Sequence, residues 1–381
     1  MELKTAERPD DMRNVMSVSL AFFFIFFGFG TAQQYLVILF NNQGRGHLAL
    51  VSLFLLYGAF MIAGIFISKL VPLLGGLKRS LMIGAATYAL FVASVAFNNT
   101  PLLLAASLVI GVGGGLVWVC GAQIITDSSG ERTTGRNLAF QIIAQNAGNI
   151  AGIYTGAYLV RTFSLENMYL ILTVSVLLGF VFLPWIRPVK EEVKERIFRA
   201  YYAFDCRMLV LFPLLFGSYF LAAQAFTAMN LIIVALLGIG SIPLVITVFK
   251  LSNIAGSFSA GTISGWLSKS AVLMGLVLIA LGGVYLFTRT YALAPFLAGT
   301  VLLGFSIASI YPVCLSWLKE RLPSEEYLQA LGIFHVYTNI GVVSAVTANM
   351  WLSSRGSFIP GVVALLLALP GIALFQTLTK K

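Results

Sequence analysis

Charged residues are scarce in this chain: Asp, Glu, Lys and Arg make up 10% of its 381 residues, against about 25% in an ordinary soluble domain. Hydrophobic residues make up 59%, and the mean hydropathy is +0.93. Such a chain lacks the polar surface that a water-soluble protein of this length carries. The composition therefore predicts a polytopic membrane protein.

Acidic residues are missing from every segment long enough to cross a bilayer, since all 14 Asp and Glu fall in the N-terminal tail, the loops or a central linker. About 20 apolar residues span the hydrocarbon core as a helix. The sequence predicts an all-α integral membrane protein with twelve transmembrane helices. These predicted spans 1 to 12 cover residues 16–40, 48–70, 81–97, 102–125, 138–160, 168–185, 208–231, 241–267, 271–287, 291–317, 328–352 and 359–378.

Cysteine and histidine are also rare, with three and two residues respectively. The cysteines have no CxxC spacing, so we expect no disulfide framework, metal site or cofactor. GVGGG at 111–115 lies inside an apolar span and lacks the strand–turn–helix context of a phosphate loop. Without a cluster of His, Cys and carboxylates at bilayer depth, we do not expect an enzyme.

The basic residues are distributed unequally between the two predicted sides of the membrane. If the N-terminus is inside, 19 of the 24 Lys and Arg lie in inner segments, and only Arg45, Arg161, Arg289 and Arg355 lie outside. The positive-inside rule then predicts a cell-membrane protein with both termini in the cytoplasm. It also explains the net charge of +10 without a nucleic-acid partner.

The two halves of the chain repeat. IGVGGGLVWVCGAQIIT with the following LAFQ aligns with LGFSIASIYPVCLSWLK and GIFH, which pairs Gly111 with Gly304, Cys120 with Cys314 and Phe140 with Phe334. We therefore predict six-helix halves at 1–186 and 208–381, joined by a cytoplasmic linker at 187–207. A parallel six-plus-six repeat is the arrangement of major-facilitator transporters.

Several stretches resemble the uncoordinated-ninety-three-like family of the major facilitator superfamily: RNV at 13–15, FGFGTAQQYL at 27–36, ALVSLFLLYG at 49–58, GVGGGLVWVCGAQIIT at 111–126 and GRN at 135–137. The resemblance in sequence covers most of the first half. The second half resembles the family mainly in its topology. It implies a facilitator fold. Characterised animal relatives are similar to channel regulators and receptor-trafficking partners, so the resemblance leaves transport open. The loop aspartate of the commoner facilitator signature is absent from ISKLVPLLGGLKRS.

Polar side chains inside a span are costly unless they face protein or a wet cavity. Spans 3, 6 and 9 have no Asn, Gln, His or Lys at depth, and span 12 has only Gln376 at its end. These four spans are the peripheral ones in facilitator folds. The other spans are predicted to supply a polar interior.

Lys250 is the one formally charged residue at membrane depth. It begins a polar stripe with Asn253, Ser257, Gly261 and Ser264 on one face of span 8. We interpret Lys250 as a cation that binds a carboxylate or phosphate of a small organic anion. The alternative is a structural partner for carbonyls at the end of a span.

His335 is the one histidine inside a span, since His47 lies in an outer loop. If transport is coupled to protons, His335 is the candidate carrier, because no buried acid is available for that role. The alternative is a structural histidine that is satisfied by a hydrogen bond.

The remaining candidates line spans 1, 4, 5, 7 and 10. Amides in these spans either bind substrate or form hydrogen bonds between helices. Large aromatic residues either form the wall of a ligand site or fill volume between helices, and for them we favour the second. The predicted substrate-binding residues are Lys250, Asn253, Gln33, Gln34, Gln224, Asn230, Gln141, Gln145, Trp118 and Tyr311.

Glycines spaced four residues apart permit close helix contact. Spans 5 and 8 meet across the two halves in facilitators, so these glycines are expected either to pack statically or to take part in gating. They are Gly148, Gly152 and Gly156 on span 5 and Gly261 and Gly265 on span 8.

The sequence thus predicts a secondary transporter of a small solute, with an organic anion as the leading substrate class, that works by alternating access as a monomer in the lipid bilayer. The alternative is a membrane protein that does not transport but regulates or escorts a channel or receptor. A continuous wet cavity lined by Lys250 and the glutamines would favour transport.

Overall fold

The computed structural model describes residues 10–163, 165–188, 205–224, 241–289, 292–352 and 356–378, with four further positions between 224 and 241. The described residues form helices and connecting turns. We number the helices α1 Met12–Asn42, α2 Gly46–Leu73, α3 Leu77–Ala96, α4 Thr100–Asp127, α5 Thr134–Thr162, α6 Leu165–Leu178, α7 Phe212–Gln224, α8 Ile242–Ile263, α9 Lys269–Arg289, α10 Leu293–Arg321, α11 Ser324–Trp351 and α12 Ile359–Leu378.

Local sequence sets several of these boundaries. Asn99 caps α4, because its side chain accepts a hydrogen bond of 3.0 Å from the amide of Leu102. Pro101 lies in the first turn of α4, where its missing N–H costs nothing. The turn between α2 and α3 uses Gly75 and Gly76 at φ of +84° and +99°, a region that other residues avoid.

Ten helices within the described residues are long and apolar enough to cross a membrane. The part of α7 that the structure describes is apolar but has 13 residues. The other long helix, α5, is the least apolar, because amide side chains interrupt it. The chain is thus a multi-pass membrane protein, and the count of twelve spans stays a prediction.

The packing inside the first half recurs inside the second. Helix α1 packs on α5 and α6, and α4 packs on α2 and α3; in the same way α7 packs on α11 and α12, and α10 packs on α8 and α9. Between the halves, α2 packs on α11 and α5 packs on α8. We call this contact region the seam. The side of the molecule at which α1 begins and α4, α8 and α10 end is the linker side.

Gly261 of α8 and Gly265, two residues after its end, bring the halves together near the linker side. A Cβ atom at Gly261 would lie 2.6 Å from the carbonyl oxygen of Gly135 in α5, and one at Gly265 would lie 2.6 Å from that of Arg132. Gly64 of α2 and Gly332 of α11 make the equivalent close approach. Backbone contact of this kind leaves no room for water between the halves at this level.

The glycine stripe of α5 packs elsewhere than expected. Gly148, Gly152 and Gly156 lie against α1, and side chains there would meet the carbonyl oxygens of Phe23 and Phe27 and the side chain of Thr31. The expectation that this stripe faces the other half is therefore wrong. It fixes α1 to α5 inside the first half, while Asn146 of α5 lies toward α8.

The α1–α5 contact gives a direct test of this packing. Gly152→Ala places a methyl group against the Phe27 carbonyl and should destabilise the protein by about 1–3 kcal/mol, the usual cost of overpacking. The measurement is thermal unfolding in detergent. Gly275→Ala is the matched control, because no atom lies within 4 Å of the added methyl group and helical alanine is favoured. Equal unfolding temperatures for the two variants would contradict the packing.

Candidate functional site

Lys250 lies at mid-depth in α8. It is eight residues after Ile242, where α8 begins, which corresponds to about 12 Å of helix. Its side chain is buried, with 6% of the residue exposed. Ser257 follows two turns later on the same face and is fully buried. The polar stripe predicted from the sequence therefore points into protein.

One turn after Lys250, Asn253 joins three helices. With the amide in one orientation, its nitrogen lies 3.4 Å from Oδ1 of Asn146 in α5. In the other orientation, the nitrogen donates to the carbonyl oxygens of Gly304 at 2.6 Å and Phe249 at 3.2 Å. Either assignment places this amide at the seam, between the first half and α10.

Nearer the linker side, Tyr311 of α10 is surrounded by one side chain from each of three other helices. The Tyr311 ring lies 5.6 Å from that of Trp118 in α4 and 6.1 Å from that of His335 in α11, between ring centroids. The Gln141 amide of α5 lies near the Tyr311 hydroxyl. We call Trp118, Gln141, Tyr311 and His335 the Tyr311 cluster. Two members come from each half.

Among the described residues, Nε2 of His335 and the Ser257 hydroxyl of α8 are buried without a hydrogen-bond partner. The Gln141 amide and the Tyr311 hydroxyl are within reach of each other, but neither forms a hydrogen bond of ordinary geometry. Buried polar groups are nearly always paired, so this level of the seam combines burial with incomplete hydrogen bonding.

Below the Tyr311 cluster, a lysine closes the seam at the linker side. Lys319 of α10 reaches across to the end of α4, where its Nζ donates to the carbonyl oxygen of Thr126 and to that of Ser129, the latter at 3.1 Å. Thr126 lies in the last turn of α4 and Ser129 just after its end, where a cation is favoured by the helix dipole. Lys319 therefore ties the second half to the first.

Two further groups of hydrogen bonds complete this closure. Gln329 of α11 accepts from the Ser68 hydroxyl and donates to the carbonyl oxygen of Ile65 at 3.0 Å, both in α2. The Tyr327 hydroxyl lies 3.2 Å from Oγ1 of Thr126. We call the contacts of Thr126, Lys319, Tyr327, Ser68 and Gln329 the linker-side seal.

Asp10, two residues before α1, braces the loop next to the linker-side seal. The Asp10 carboxylate accepts hydrogen bonds from Gly130 N at 2.9 Å and Thr133 Oγ1 at 2.5 Å, and pairs with Arg136 at 3.0 Å. Burial by itself raises the pKa of Asp10, but these hydrogen bonds and the charge of Arg136 bring the net pKa below its ordinary value. The carboxylate stays ionised at neutral pH, and this brace is lost only in acid.

Other predicted substrate residues lie outside the Tyr311 cluster. Gln33 donates to the Tyr57 hydroxyl at 3.0 Å, between α1 and α2 of the same half. Gln145 of α5 is half-buried. Gln224 was predicted to bind substrate, but its amide donates to the carbonyl oxygen of Ser357 at 2.9 Å and so fixes α7 to the turn before α12. Asn230 and the Gln34 side chain lie outside the described part of the chain.

Sequence reasoning missed Lys319, Gln329 and Phe60, whose ring lies 5.4 Å from that of His335. Lys319 and Gln329 stand near the ends of apolar segments, where polar residues are expected in any membrane helix. The signal available in the sequence was the absence of the loop aspartate of the commoner facilitator signature, since without it another group has to close the linker side.

A family comparison accounts for this architecture. The model of the Major Facilitator Superfamily matches residues 18–269. The chain belongs to the Major Facilitator Superfamily. The match covers the whole of α2 to α5 and all of α8, so both sides of the α5–α8 contact lie within it. The predicted facilitator fold is confirmed.

The predicted resemblance to uncoordinated-ninety-three-like proteins is confirmed by two curated relatives. UNC93-like protein 3 of Arabidopsis thaliana is 27% identical over 146 residues, which are 38% of this chain and 29% of the relative. Protein unc-93 homolog A of Xenopus laevis is 25% identical over 118 residues, which are 31% of this chain and 25% of the relative. The matches thus span less than a third of each relative's length.

Solved facilitator structures share the fold over nearly the whole chain. A bacterial homologue of the iron transporter ferroportin has a TM-score of 0.79 at 12% identity, with 96% of this chain and 99% of that one covered. The human organic anion transporter MFSD10 has a TM-score of 0.76 at 15% identity, with coverages of 97% and 100%. The Escherichia coli fucose:proton symporter FucP has a TM-score of 0.69 at 17% identity, with coverages of 97% and 99%.

The linker-side seal predicts how one substitution shifts the conformation of this facilitator. Lys319→Met removes the donor to the end of α4, and charged hydrogen bonds contribute about 1.5–3 kcal/mol each. The seam should then open at the linker side at least about tenfold more often. The measurement is the rate at which a hydrophilic maleimide modifies Ser316→Cys, a buried position of α10, with Cys206 replaced by Ser.

Lys269→Met serves as the matched control for Lys319→Met. Lys269 pairs with Glu320 at 2.9 Å inside the second half, so its loss should leave the rate of modification unchanged. Equal rates in both variants would show that Lys319 does not hold the halves together.

Proposed function

We propose that the chain is a secondary transporter of a small organic anion that works by alternating access of its two halves. The observation that carries the proposal is the concentration of buried polar side chains at the seam, from Lys250 and Asn253 down to the Tyr311 cluster. In a facilitator, the substrate site lies between the two halves, so that rocking of the halves exposes it to one side at a time.

The arrangement of contacts along the seam supports this mechanism. The linker-side seal closes one end through hydrogen bonds and backbone contacts. Toward the opposite end, the contacts that the described residues make between the halves include one of 3.3 Å between the Thr247 and Tyr154 hydroxyls, and Tyr154 is 50% exposed. Closure at the linker side is what one of the two states of alternating access requires.

Lys250 supports an anionic substrate. A cation at bilayer depth attracts a carboxylate or phosphate strongly, because the surroundings screen charge poorly. MFSD10, whose fold this chain shares, is described as an organic anion transporter.

The charge distribution supports an orientation for this transporter. The excess of Lys and Arg in the inner loops favours a cytoplasmic location for both termini in the cell membrane. The linker side is then the cytoplasmic side, and the state described is closed toward the cytoplasm. The proposed working unit is a monomer, since one chain contains both halves, with neither a cofactor nor nucleic acid.

Lys250→Met tests the anion site. Methionine keeps most of the side-chain volume but removes the charge, so uptake of the cognate anion into proteoliposomes should fall at least about a hundredfold, as expected when a buried charge pair is lost. A panel of labelled carboxylates and phosphates identifies the cognate anion first. Lys250→Arg keeps the charge, and Lys69→Met is a control at an exposed lysine. Unchanged transport by Lys250→Met would refute this role.

His335 is the proposed proton carrier, because it is the histidine buried at the seam and free imidazole binds and releases a proton near neutral pH. An inward proton gradient should accelerate uptake in the wild type, and His335→Gln should remove this acceleration while leaving exchange of substrate at equal pH. The measurement is initial uptake with and without an imposed gradient. Uptake in the wild type that ignores the gradient would rule out the proton role of His335.

A non-transporting regulator is the second candidate, favoured by the similarity to unc-93 proteins and by the close packing of the Tyr311 cluster. A regulator has no need to open the seam. A folded protein that takes up no member of the solute panel, with or without ion gradients, would favour this candidate over transport.

A further inference from the structure

We propose that the linker side of the first half carries a binding site for an anionic phospholipid, in which three basic side chains hold the phosphate and the lipid-facing surface of α6 holds the acyl chains. The three residues are Arg13 at the start of α1, Lys78 at the start of α3, and Arg187, which follows the short 3-10 helix Gly179–Trp185 that continues α6. We call them the basic cluster. The inference does not depend on what the protein transports.

Backbone carbonyl groups at the end of α6 bring two of these cations together. Lys78 Nζ donates to the carbonyl oxygens of Pro184 at 2.8 Å and Ile186 at 2.9 Å. Arg13 Nε donates to the carbonyl oxygen of Trp185 at 3.0 Å. Basic side chains commonly bind the last carbonyls of a helix in this way. Two positive charges are therefore held on the same three residues of backbone.

Arg187 is the third cation at this place. Its backbone amide donates to Oδ1 of Asn14 at 2.8 Å, which fixes the backbone of Arg187 beside the start of α1. The Arg187 side chain is exposed, and the bonds that the described residues make with Arg187 go to its backbone. Its guanidinium is therefore available to a ligand.

No carboxylate pairs with these three cations within the part of the chain that the structure describes. Carbonyl oxygens accept hydrogen bonds but carry no net charge, and the start of a helix, where Lys78 lies, is itself positive. Like charges that lie close together attract a counter-ion. The ion pairs of the described residues lie elsewhere and join Arg136 to Asp10, Arg207 to Asp205 and Glu326, and Lys269 to Glu320.

The second half has the opposite arrangement at the helix that corresponds to α3. This helix, α9, also begins with a lysine, Lys269, but its Nζ pairs with the Glu320 carboxylate of α10 at 2.9 Å. A general need for basic residues on the linker side does not explain this difference between the halves. The unbalanced positive charge belongs to the end of α6.

The surface beside the basic cluster is apolar and faces lipid. The span Glu166–Trp185 has 33% of its most apolar stretch buried in the protein, so most of that stretch contacts the bilayer. Trp185 is 52% exposed, and tryptophan prefers the boundary between lipid and water. The exposed apolar side chains that lead along α6 to the basic cluster are Val174, Leu178, Val181 and Trp185.

This combination favours a phospholipid over a free anion. A free anion contacts the cations alone, whereas an anionic phospholipid places its phosphate at the basic cluster and its acyl chains along α6. Basic sites beside membrane helices on the cytoplasmic side bind acidic head groups in this way. The shared position of the cations and Trp185 is explained if both contact the same lipid molecule.

The test measures which lipid lies next to Trp185. The full chain is placed in nanodiscs that mix phosphatidylglycerol with phosphatidylcholine, and one of the two lipids carries bromine on its acyl chains, which quenches tryptophan fluorescence on contact. The quenching that is lost in Trp185→Phe is the signal of the site. The wild type should prefer phosphatidylglycerol at least about tenfold there, since each Lys or Arg near a membrane surface contributes about fivefold to the binding of acidic lipid.

Three variants assign this preference to the basic cluster. Arg187→Gln and Lys78→Gln should each lower it about fivefold. Arg289→Gln is the matched control, because it removes an exposed cation from the other end of α9, and it should leave the preference within about twofold. Lys78 also holds the end of α6, so its variant can lose stability. Arg187 contributes its backbone to the fold, so the result for Arg187→Gln stands alone.

Two outcomes would overturn the lipid site: equal binding of both lipids next to Trp185 in the wild type, or a preference that Arg187→Gln leaves unchanged. Replacement of chloride by inorganic phosphate at the same ionic strength separates a lipid head group from a free ion. The preference for phosphatidylglycerol should persist in phosphate. Its loss would show that the basic cluster binds the free ion and would also overturn the proposal.

Discussion

Every polar group inside a bilayer must find its partner within the protein, because hydrocarbon offers none. This constraint explains where the amides, the lysine and the histidine of the chain lie. Helix α5 is the least apolar of the long helices, and it lies between α1 and α8. Its polar side chains are thereby removed from lipid and placed at the seam, which is the one region of the fold that a transporter has to open.

The two faces of α5 make different kinds of contact. One face carries glycines that fit against α1 and hold the first half together. The other carries Gln141 and Asn146 toward the second half, where Asn253 and Tyr311 approach them. The first contact is close backbone packing at three successive glycines, whereas the second combines a close backbone contact of Gly135 with Gly261 and few hydrogen bonds. A rigid half with a weakly bonded surface can separate from its partner without losing its own structure.

Much of this could be predicted from the sequence. The absence of acids from the spans, the internal repeat and the polar stripe from Lys250 predicted the fold class and the helix that carries the charge. The partners of the glycines at 148, 152 and 156 could not be predicted, because spacing alone identifies a close contact but not the helix on the other side. The role of Lys319 was equally hidden, since its partners are backbone carbonyls nearly two hundred residues away, which have no signature in sequence. Gln224 resembled a lining residue only because its partner Ser357 lies in a turn whose position depends on tertiary packing.

The central claim is that the two halves move as rigid bodies about the seam, so that one end opens as the other closes. Distances between spin labels test it most directly, with one pair at the exposed positions 132 and 266 on the linker side and another at the exposed positions 158 and 244 on the opposite side. Measured in nanodiscs by pulsed electron resonance, both pairs should show two populations, and conditions that lengthen one distance should shorten the other. A single, unchanging distance for both pairs, with and without transported anion, would contradict the account.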